Sequence, residues 1–248
     1  FKNKQLAFDS ETTTANVAVI VAEGAITVDG DEMTSEKVCK YFREVRNNDK
    51  IKVVVFRVNS PGGSALASEE IWRVVSLTTK KKKVIVSMGD VAASGGYYIS
   101  TPASTIFAEP TTITGSIGVF GVIPYTGAFM ENKLGLTFDR VQTNKHSVLS
   151  TNRKLTPEEL TLIQTEVDQI YAQFKKRVAD GRGLTVDQVQ TIARGRVWTG
   201  ADALKIGLVD KLGGVNDLPL EKVDGRNIDY GASNGLEIEL KNFYYRFS

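Results

Sequence analysis

Histidine and cysteine are almost absent from this chain of 248 residues, which contains one of each. A zinc site needs several Cys or His ligands, so the composition argues against a zinc protein. The single cysteine, Cys39, excludes an intrachain disulfide. Its place in a helix-like stretch favours a packed thiol over a nucleophile. A Ser-His-Asp protease is an alternative only if His146 is its base.

An excess of one charge and long apolar runs are also missing. The 31 basic and 29 acidic residues leave a formal net charge of +2, so the composition gives no indication of a nucleic-acid partner. The longest apolar stretch, Val17–Ala22, is far shorter than the roughly 18 to 20 residues of a membrane span. The N-terminus lacks a signal-peptide pattern and begins at Phe1, so we expect the chain to be part of a longer protein.

The chain does contain an alternation of strand-like and helix-like segments. Runs of β-branched residues predict strands, and amphipathic patterns predict helices between them. The predicted strands are Val17–Ala22, Val53–Val58, Val84–Met88 and Thr105–Ala108. The predicted helices are Ser35–Asn47, Ser68–Thr78 and a long one that begins at a capping box at Thr156 and carries an apolar stripe to Val178.

This alternation predicts an α/β fold of βαβ units with a mostly parallel sheet and a helical C-terminal part. We expect an arm over residues 1–15, one domain over 16–220 and a tail over 221–248 that includes a docking strand. Ligand sites in such sheets form at the carboxyl ends of the strands. The two glycine-rich loops, after Val58 and after Met88, both lie at such ends.

Ser94 is the strongest candidate for a nucleophile. The small residues on either side of it leave its hydroxyl accessible and allow close approach of another backbone. It follows a strand and opens a helix, whose N-terminal N–H groups suit a developing oxyanion. The alternative is a helix-capping serine among small packing residues.

The loop Ser60–Ser64 is a candidate for the other half of an oxyanion site. Gly62 and Gly63 could turn N–H groups toward a pocket, although the same sequence also makes an ordinary turn. A serine nucleophile needs a base within hydrogen-bonding reach. Lys145 and His146 are the candidates, and either could instead be an exposed loop side chain.

Six segments in this order and spacing resemble the signature blocks of the signal peptide peptidase A (protease IV) family. These blocks are Arg57–Ser64, Ser87–Gly89, Ala92–Ser100, Thr114–Val119, Gly181–Gly183 and Gly195–Gly200. The resemblance runs from about Val17 to Asn216, and it is to the serine-bearing C-terminal half of a long, tandem member. It implies a fold of the Clp-protease and crotonase type.

The resemblance also implies a serine endopeptidase with a Ser-Lys dyad and no cofactor or metal. Ser94 would be the nucleophile and Ser116 would orient the lysine. Gly63 and Gly95 would supply the oxyanion N–H groups, with Gly62 shaping the turn. An extended apolar peptide, such as a signal-peptide remnant, would lie near Gly63 and Ser64.

The resemblance leaves two sources for the general base. Short members of the family carry serine and lysine in one domain and join them across subunits, whereas long members carry the lysine in their N-terminal half. Lys145 lies in a segment similar to the lysine segment, although an alignment through His146 would put Ser147 at that position. The base is therefore Lys145, from this or a neighbouring subunit, or a lysine outside this chain.

The family further implies a self-associating domain tethered to the bacterial cell membrane on its extracytoplasmic, periplasmic side. Two other functions agree with the same fold. One is a catalytically incomplete half that serves assembly. The other is a crotonase-type acyl-CoA enzyme, in which Ser94 would have no assigned role.

Overall fold

The computed structural model describes residues 17–30, 33–145, 147 and 149–218. The predicted arm over 1–15, the tail over 221–248 and His146 lie outside these residues. The chain divides into two compact units. The first unit comprises residues 1–117 and 175–248, and the second unit comprises residues 118–174.

The strands are β1 (Val17–Glu23), β2 (Ile26–Thr27), β3 (Met33–Thr34), β4 (Val53–Ser60), β5 (Lys83–Ala93), β6 (Thr105–Ala108), β7 (Ile113–Gly115), β8 (Val197–Thr199) and β9 (Lys211–Leu212). Seven of them form the main sheet of the first unit, in which β1, β4, β5, β6 and β9 pair in that order, β7 pairs with β5, and β8 pairs with β7. All pairings are parallel except that of β7 with β8. A separate parallel pair is formed by β2 and β3.

The helices follow the strands as the sequence predicts, with the bounds shifted by a few residues at some ends. They are α1 (Ser35–Asn47), α2 (Ala65–Thr79), α3 (Gly95–Ser100), α4 (Gly127–Leu134), α5 (Pro157–Arg182), α6 (Val186–Ile192) and α7 (Gly200–Lys205), and a 3-10 turn spans Val215–Asp217. No helix within the described ranges is long and apolar enough to span a membrane.

The central strands are buried on both faces, which explains why β4 is a continuous apolar run and not an alternating one. On one face Phe56 is fully buried and meets Phe42 of α1 edge to face, with ring centroids 4.9 Å apart. On the other face Val55 and Ile85 belong to a second apolar cluster that includes Phe107. Cys39 of α1 is a buried free thiol, as expected for a packed cysteine.

An irregularity in β5 directs the end of that strand toward a second partner. The β4–β5 register shifts between Val58 and Ser60, and β5 pairs with β6 before this point and with β7 after it. Asn59 Oδ1 accepts the N–H of Val91 at 3.2 Å, and the Arg57 guanidinium donates to the carbonyl oxygen of Met88 at 2.6 Å. These two side chains of β4 therefore hold both ends of the irregular segment.

Helix α5 begins at the capping box that the sequence predicts. The Thr156 hydroxyl accepts the N–H of Glu159, and the Thr156 N–H donates to the Glu159 carboxylate. Arg153 donates both terminal nitrogens to the same carboxylate, at 2.7 and 2.5 Å. The hydrogen bonds from Arg153, and then that from the Thr156 backbone, lower the pKa of Glu159 to about 2.

This lowered pKa makes the contribution of Glu159 to stability dependent on pH. A carboxylate whose pKa is lower in the folded chain stabilises the fold above its unfolded value, 4.5, and loses that contribution as the pH falls toward 2. We expect wild type to melt at a higher temperature than Glu159→Gln near neutral pH. The difference should shrink between pH 4.5 and about 2, measured by circular dichroism.

Glu158→Gln is the matched control, because Glu158 is half exposed and pairs with the exposed Lys145. Its melting temperature should stay close to that of wild type, since exposed ion pairs contribute little. A Glu159→Gln difference that does not shrink in acid would contradict the prediction.

Candidate active site

Ser94 lies between the end of β5 and the start of α3, in a backbone conformation that non-glycine residues rarely adopt. Its φ is 51° and its ψ is −119°. Its N–H donates to the carbonyl oxygen of Gly115 at 2.9 Å, and its own carbonyl oxygen accepts the N–H of Tyr98 at 2.8 Å. Backbone strain of this kind is typical of functional sites and persists only where surrounding bonds impose it.

The Ser94 side chain does not cap the helix that follows it. Ser94 occupies the N-cap position of α3, yet its hydroxyl makes no capping hydrogen bond. The alternative reading of Ser94 as a helix-capping serine is therefore wrong. The side chain is half-buried and its hydroxyl is not needed to complete the helix.

The glycines around Ser94 allow two loops to pack backbone against backbone. A Cβ atom on Gly62 would lie 2.6 Å from the amide nitrogen of Gly95 and 2.9 Å from Cβ of Ser94. A Cβ atom on Gly96 would lie 2.5 Å from the carbonyl oxygen of Ser60. All three distances are too short for real contacts, so the loop after β4 and the turn after β5 meet only because these residues lack side chains.

The backbone N–H groups of Gly95 and Gly63 lie next to Ser94. The direction of the Gly63 N–H follows from its neighbours: Gly62 O accepts the N–H of Ile26 at 2.9 Å, and Ser64 N–H donates to Ile26 O at 2.8 Å. In this parallel bridge the N–H of the intervening Gly63 faces away from Ile26. The Gly63 nitrogen lies 3.2 Å from where a Cβ of Gly95 would be.

The amides of Gly63 and Gly95 are available as donors. Gly95 is the first residue of α3, where an N–H group has no partner within the helix. Neither amide donates a hydrogen bond to any group in the part of the chain that the structure describes. Such a pair can stabilise an oxyanion that develops beside Ser94.

Ser116 lies close to this turn through its neighbour. Gly115 accepts the Ser94 N–H, and Ser116 follows it with a φ of 50°, a second strained serine. Its N–H donates to the carbonyl oxygen of Arg196 at 2.7 Å. The first unit therefore brings together Ser94, Ser116 and the three predicted glycines.

Ser64 has a structural role in the same loop. Its hydroxyl accepts the N–H of Ala67 at 3.3 Å and caps α2, while its own N–H bonds to Ile26. The predicted peptide-binding edge near Gly63 and Ser64 is thus already paired with Ile26 on one side. The opposite side, toward which the Gly63 N–H points, carries no strand of the described residues.

Lys145 belongs to the second unit. Its side chain is 71% exposed there and forms an ion pair with Glu158. A lysine acts as a base only in its neutral form, which burial favours. Ser147 donates its hydroxyl to the carbonyl oxygen of Asn144 at 3.1 Å, and His146, the base of the alternative triad, lies outside the described residues.

Some of the residues that shape this site have no catalytic signal in the sequence. Asn59 and Arg57 hold the irregular segment of β5, and Gly115 supplies the carbonyl oxygen that fixes Ser94. All three lie inside the segments that resemble family blocks. That resemblance was the only feature of the sequence that pointed to them. Among the described residues there is also no cluster of three or more side chains that could hold a metal ion.

Replacement of Gly62 tests the backbone contact. Gly30 has a φ of 105°, close to the 99° of Gly62, but beyond its chain neighbours no atom of the described residues lies within 4 Å of its Cβ position. Both Gly→Ala variants should therefore share a conformational cost of about 1–2 kcal/mol. We expect Gly62→Ala to lower the melting temperature further than Gly30→Ala and to displace the Ser94 turn, and equal losses would contradict the contact.

Two family models and a solved structure match this chain. The model of peptidase family S49 matches residues 76–229, and the Clp protease model matches residues 8–112. A ClpP1 mutant from Listeria monocytogenes superposes with a TM-score of 0.56 at 16% identity, covering 82% of this chain and 93% of that one. That similarity shows a Clp-protease-like α/β fold.

Other proteins share a much higher sequence identity with this chain. Protease 4 of Salmonella typhi is 42% identical over 231 residues, and the chloroplastic serine protease SPPA of Arabidopsis thaliana is 39% identical over 196. These matches cover 88% and 78% of this chain but only 37% and 29% of those proteins. A Synechocystis relative, 37% identical, is covered over 73% of its length. The chain belongs to peptidase family S49, the family of signal peptide peptidase A and protease 4.

Proposed function

We propose that this chain carries the nucleophile of a serine endopeptidase and that Ser94 is that nucleophile. The supporting observation is the strained turn at Ser94, whose hydroxyl is not used for capping and whose neighbours offer two N–H donors. A proximal base would take the hydroxyl proton as Oγ attacks the peptide carbonyl carbon. The names of the relatives, Protease 4 and serine protease SPPA, agree with this chemistry.

The proposed reaction proceeds through an acyl-enzyme. Attack by Ser94 Oγ forms a tetrahedral intermediate whose oxyanion accepts hydrogen bonds from Gly63 and Gly95. Collapse of the intermediate breaks the C–N bond, and the amine leaves with the proton from the base. A water molecule, deprotonated by the same base, then attacks the ester and releases the acid and the free hydroxyl of Ser94.

A lysine is the proposed base, and Ser116 would orient it. Ser116 lies beside the Ser94 turn in the first unit, whereas Lys145 is exposed in the second unit. Two sources agree with these positions: Lys145, from this or a neighbouring subunit, and a lysine outside this chain. The chain spans about a third of the length of its first relatives, which leaves room for the second source.

The proposed substrates are extended apolar peptides, of which signal-peptide remnants are one class. The edge at Gly63, opposite the side paired with Ile26, would accept a peptide backbone in the manner of an added strand. A domain tethered on the extracytoplasmic side of a bacterial membrane would meet such peptides. The family name, signal peptide peptidase, supports this assignment.

Labelling with a fluorophosphonate probe tests the nucleophile and its base. We expect wild type to be labelled faster as the pH rises from 6 to 10, because the probe reports a neutral base. Ser94→Ala should abolish labelling, and Ser116→Ala should slow it by roughly tenfold if it orients the base. Lys133→Ala, a surface change in the same unit, is the control for Lys145→Ala.

Each result of that experiment identifies a mechanism. Loss of labelling in Lys145→Ala but not in Lys133→Ala would identify Lys145 as the base. Loss in His146→Ala alone would indicate the histidine triad. A wild-type chain that fails to react would show that the base is not in this chain, which agrees with a lysine outside it or with the incomplete half that serves assembly. Binding of acyl-CoA would favour the crotonase-type enzyme.

We also propose that the second unit takes part in self-association. Large apolar side chains are unusually exposed there, with Phe120 86%, Val122 79% and Val141 96% exposed. Phe120 and Leu160 line an open groove of about 530 Å³ together with Ile163 and other residues of α5. Exposed apolar surface of this kind marks interaction sites.

Sedimentation velocity over a range of protein concentrations tests this self-association. We expect Phe120→Ser and Leu160→Ser to raise the dissociation constant at least about tenfold, since each removes a large apolar group from a buried contact. Val197→Ser, a 61% exposed residue of the first unit, is the control. A chain that stays monomeric at all concentrations would contradict the proposal.

A further inference from the structure

Glu69, in the second turn of α2, connects three helices of the first unit. Its Oε2 accepts the hydroxyl of Tyr98 from α3, and its Oε1 accepts Nη2 of Arg177 from α5 at 2.6 Å. The Arg177 guanidinium also stacks on the ring of Trp72, one helical turn beyond Glu69, at 3.5 Å from the centroid. We call Glu69, Tyr98, Arg177 and Trp72 the Glu69 clamp.

The clamp is sheltered from solvent. Tyr98 is 6% exposed, and the side chains of Arg177 and Glu69 are 23% and 31% exposed. Hydrogen bonds to a charged group are stronger than neutral ones, and partial burial reduces screening by water and salt. Both carboxylate oxygens have a partner from a different helix, so the clamp restrains the position of α3 against α2.

The two helices joined by Glu69 and Tyr98 carry the two candidate oxyanion donors. Helix α2 starts directly after the Gly63–Ser64 loop, and α3 starts at Gly95. The Tyr98 N–H donates to the carbonyl oxygen of Ser94, so its hydroxyl acts one helical turn from the nucleophile. A shift of α3 along α2 would therefore move the Gly95 and Gly63 amides relative to each other.

The N-terminal turns of α2 and α3 are closely packed against each other. The Ser68 hydroxyl, next to Glu69 in α2, lies 2.6 Å from where a Cβ of Gly95 would be. Ser68 itself is held by donation to the carbonyl oxygen of Ser64 at 2.8 Å. Close contact prevents approach, but it does not prevent separation. The Glu69–Tyr98 hydrogen bond supplies the restraint in that direction.

We propose that Glu69 is a positioning residue for the oxyanion site and that it acts through Tyr98 to set the separation of the Gly63 and Gly95 N–H groups. The inference rests on the proposed function of Ser94. Oxyanion donors contribute strongly only when they are fixed in advance at hydrogen-bonding distance from the developing charge. A displacement of about 1 Å is sufficient to cost a large part of that contribution.

The first experiment compares Glu69→Gln and Tyr98→Phe with wild type in fluorophosphonate labelling. We expect the maximal rate at saturating probe to fall by roughly tenfold in each, with half-saturation little changed. Attack of Ser94 on the probe develops negative charge on the phosphonyl oxygen, whereas probe binding does not. The double variant should be no slower than the slower single variant, because both changes act on the same Glu69–Tyr98 contact.

Glu70→Gln is the matched control. Glu70 is the next residue of α2, and its carboxylate accepts the Ser35 hydroxyl of α1 at 2.5 Å, away from α3. It should lower the melting temperature as Glu69→Gln does, yet leave the maximal labelling rate within about twofold of wild type. Equal effects of both variants on the labelling rate would reduce Glu69 to a residue for stability and overturn the proposal.

A second measurement does not depend on reactivity. In ¹H–¹⁵N spectra, the amide resonances of Gly63 and Gly95 should shift or broaden in Tyr98→Phe and stay in place in Glu70→Gln. If wild type is not labelled, either the base lies outside this chain or Ser94 is not the nucleophile, and in both cases these resonances alone decide the role of Glu69. Unchanged resonances in Tyr98→Phe would overturn the inference even if Ser94 proves to be the nucleophile.

Discussion

The site depends on one close contact, in which the backbone of the loop after β4 lies against the turn after β5. No Cβ atom fits at Gly62 or Gly96, so the distance between the loops is set by main-chain atoms and not by side chains. This contact places the Gly63 and Gly95 amides together and holds Ser94 at a strained φ of 51°. Main-chain packing of this kind is stiff, which suits a site that must be ordered before the substrate arrives.

The pairing of the strands produces that contact. Because β5 pairs first with β6 and then with β7, its last residues leave the line of the central sheet. Asn59 and Arg57 satisfy the backbone of the irregular segment, and Gly115 at the end of β7 accepts the N–H of Ser94. Burial lowers the pKa of Arg57, while Glu109, Asp90 and Glu23 act in the opposite direction and help to retain its charge.

The two units divide the proposed chemistry between them. The first unit contains Ser94, Ser116 and the amide donors, all at or beside the turn after β5. The second unit contains Lys145 and much exposed apolar surface, including the N-terminal half of α5. The apolar stripe predicted along α5 is buried only at its C-terminal end, at Phe174 and Val178, whereas Leu160 is 48% exposed. This surface is the basis of the self-association proposed above.

Local signals in the sequence determined most of the secondary structure, because β-branched runs, capping boxes and glycine-rich turns act over a few residues; α1 and β6 have the predicted bounds. They also singled out Ser94 and the Gly62–Gly63 loop, since strand ends in a parallel sheet share an edge. Short elements such as β7, β8 and α4 escaped prediction because their pairing partners or packing supply their stability. The strain at Ser94, the unused capping hydroxyl and the Glu69 clamp were decided by the tertiary structure alone. They arise from atoms distant in the chain, and no spacing of residues encodes those contacts.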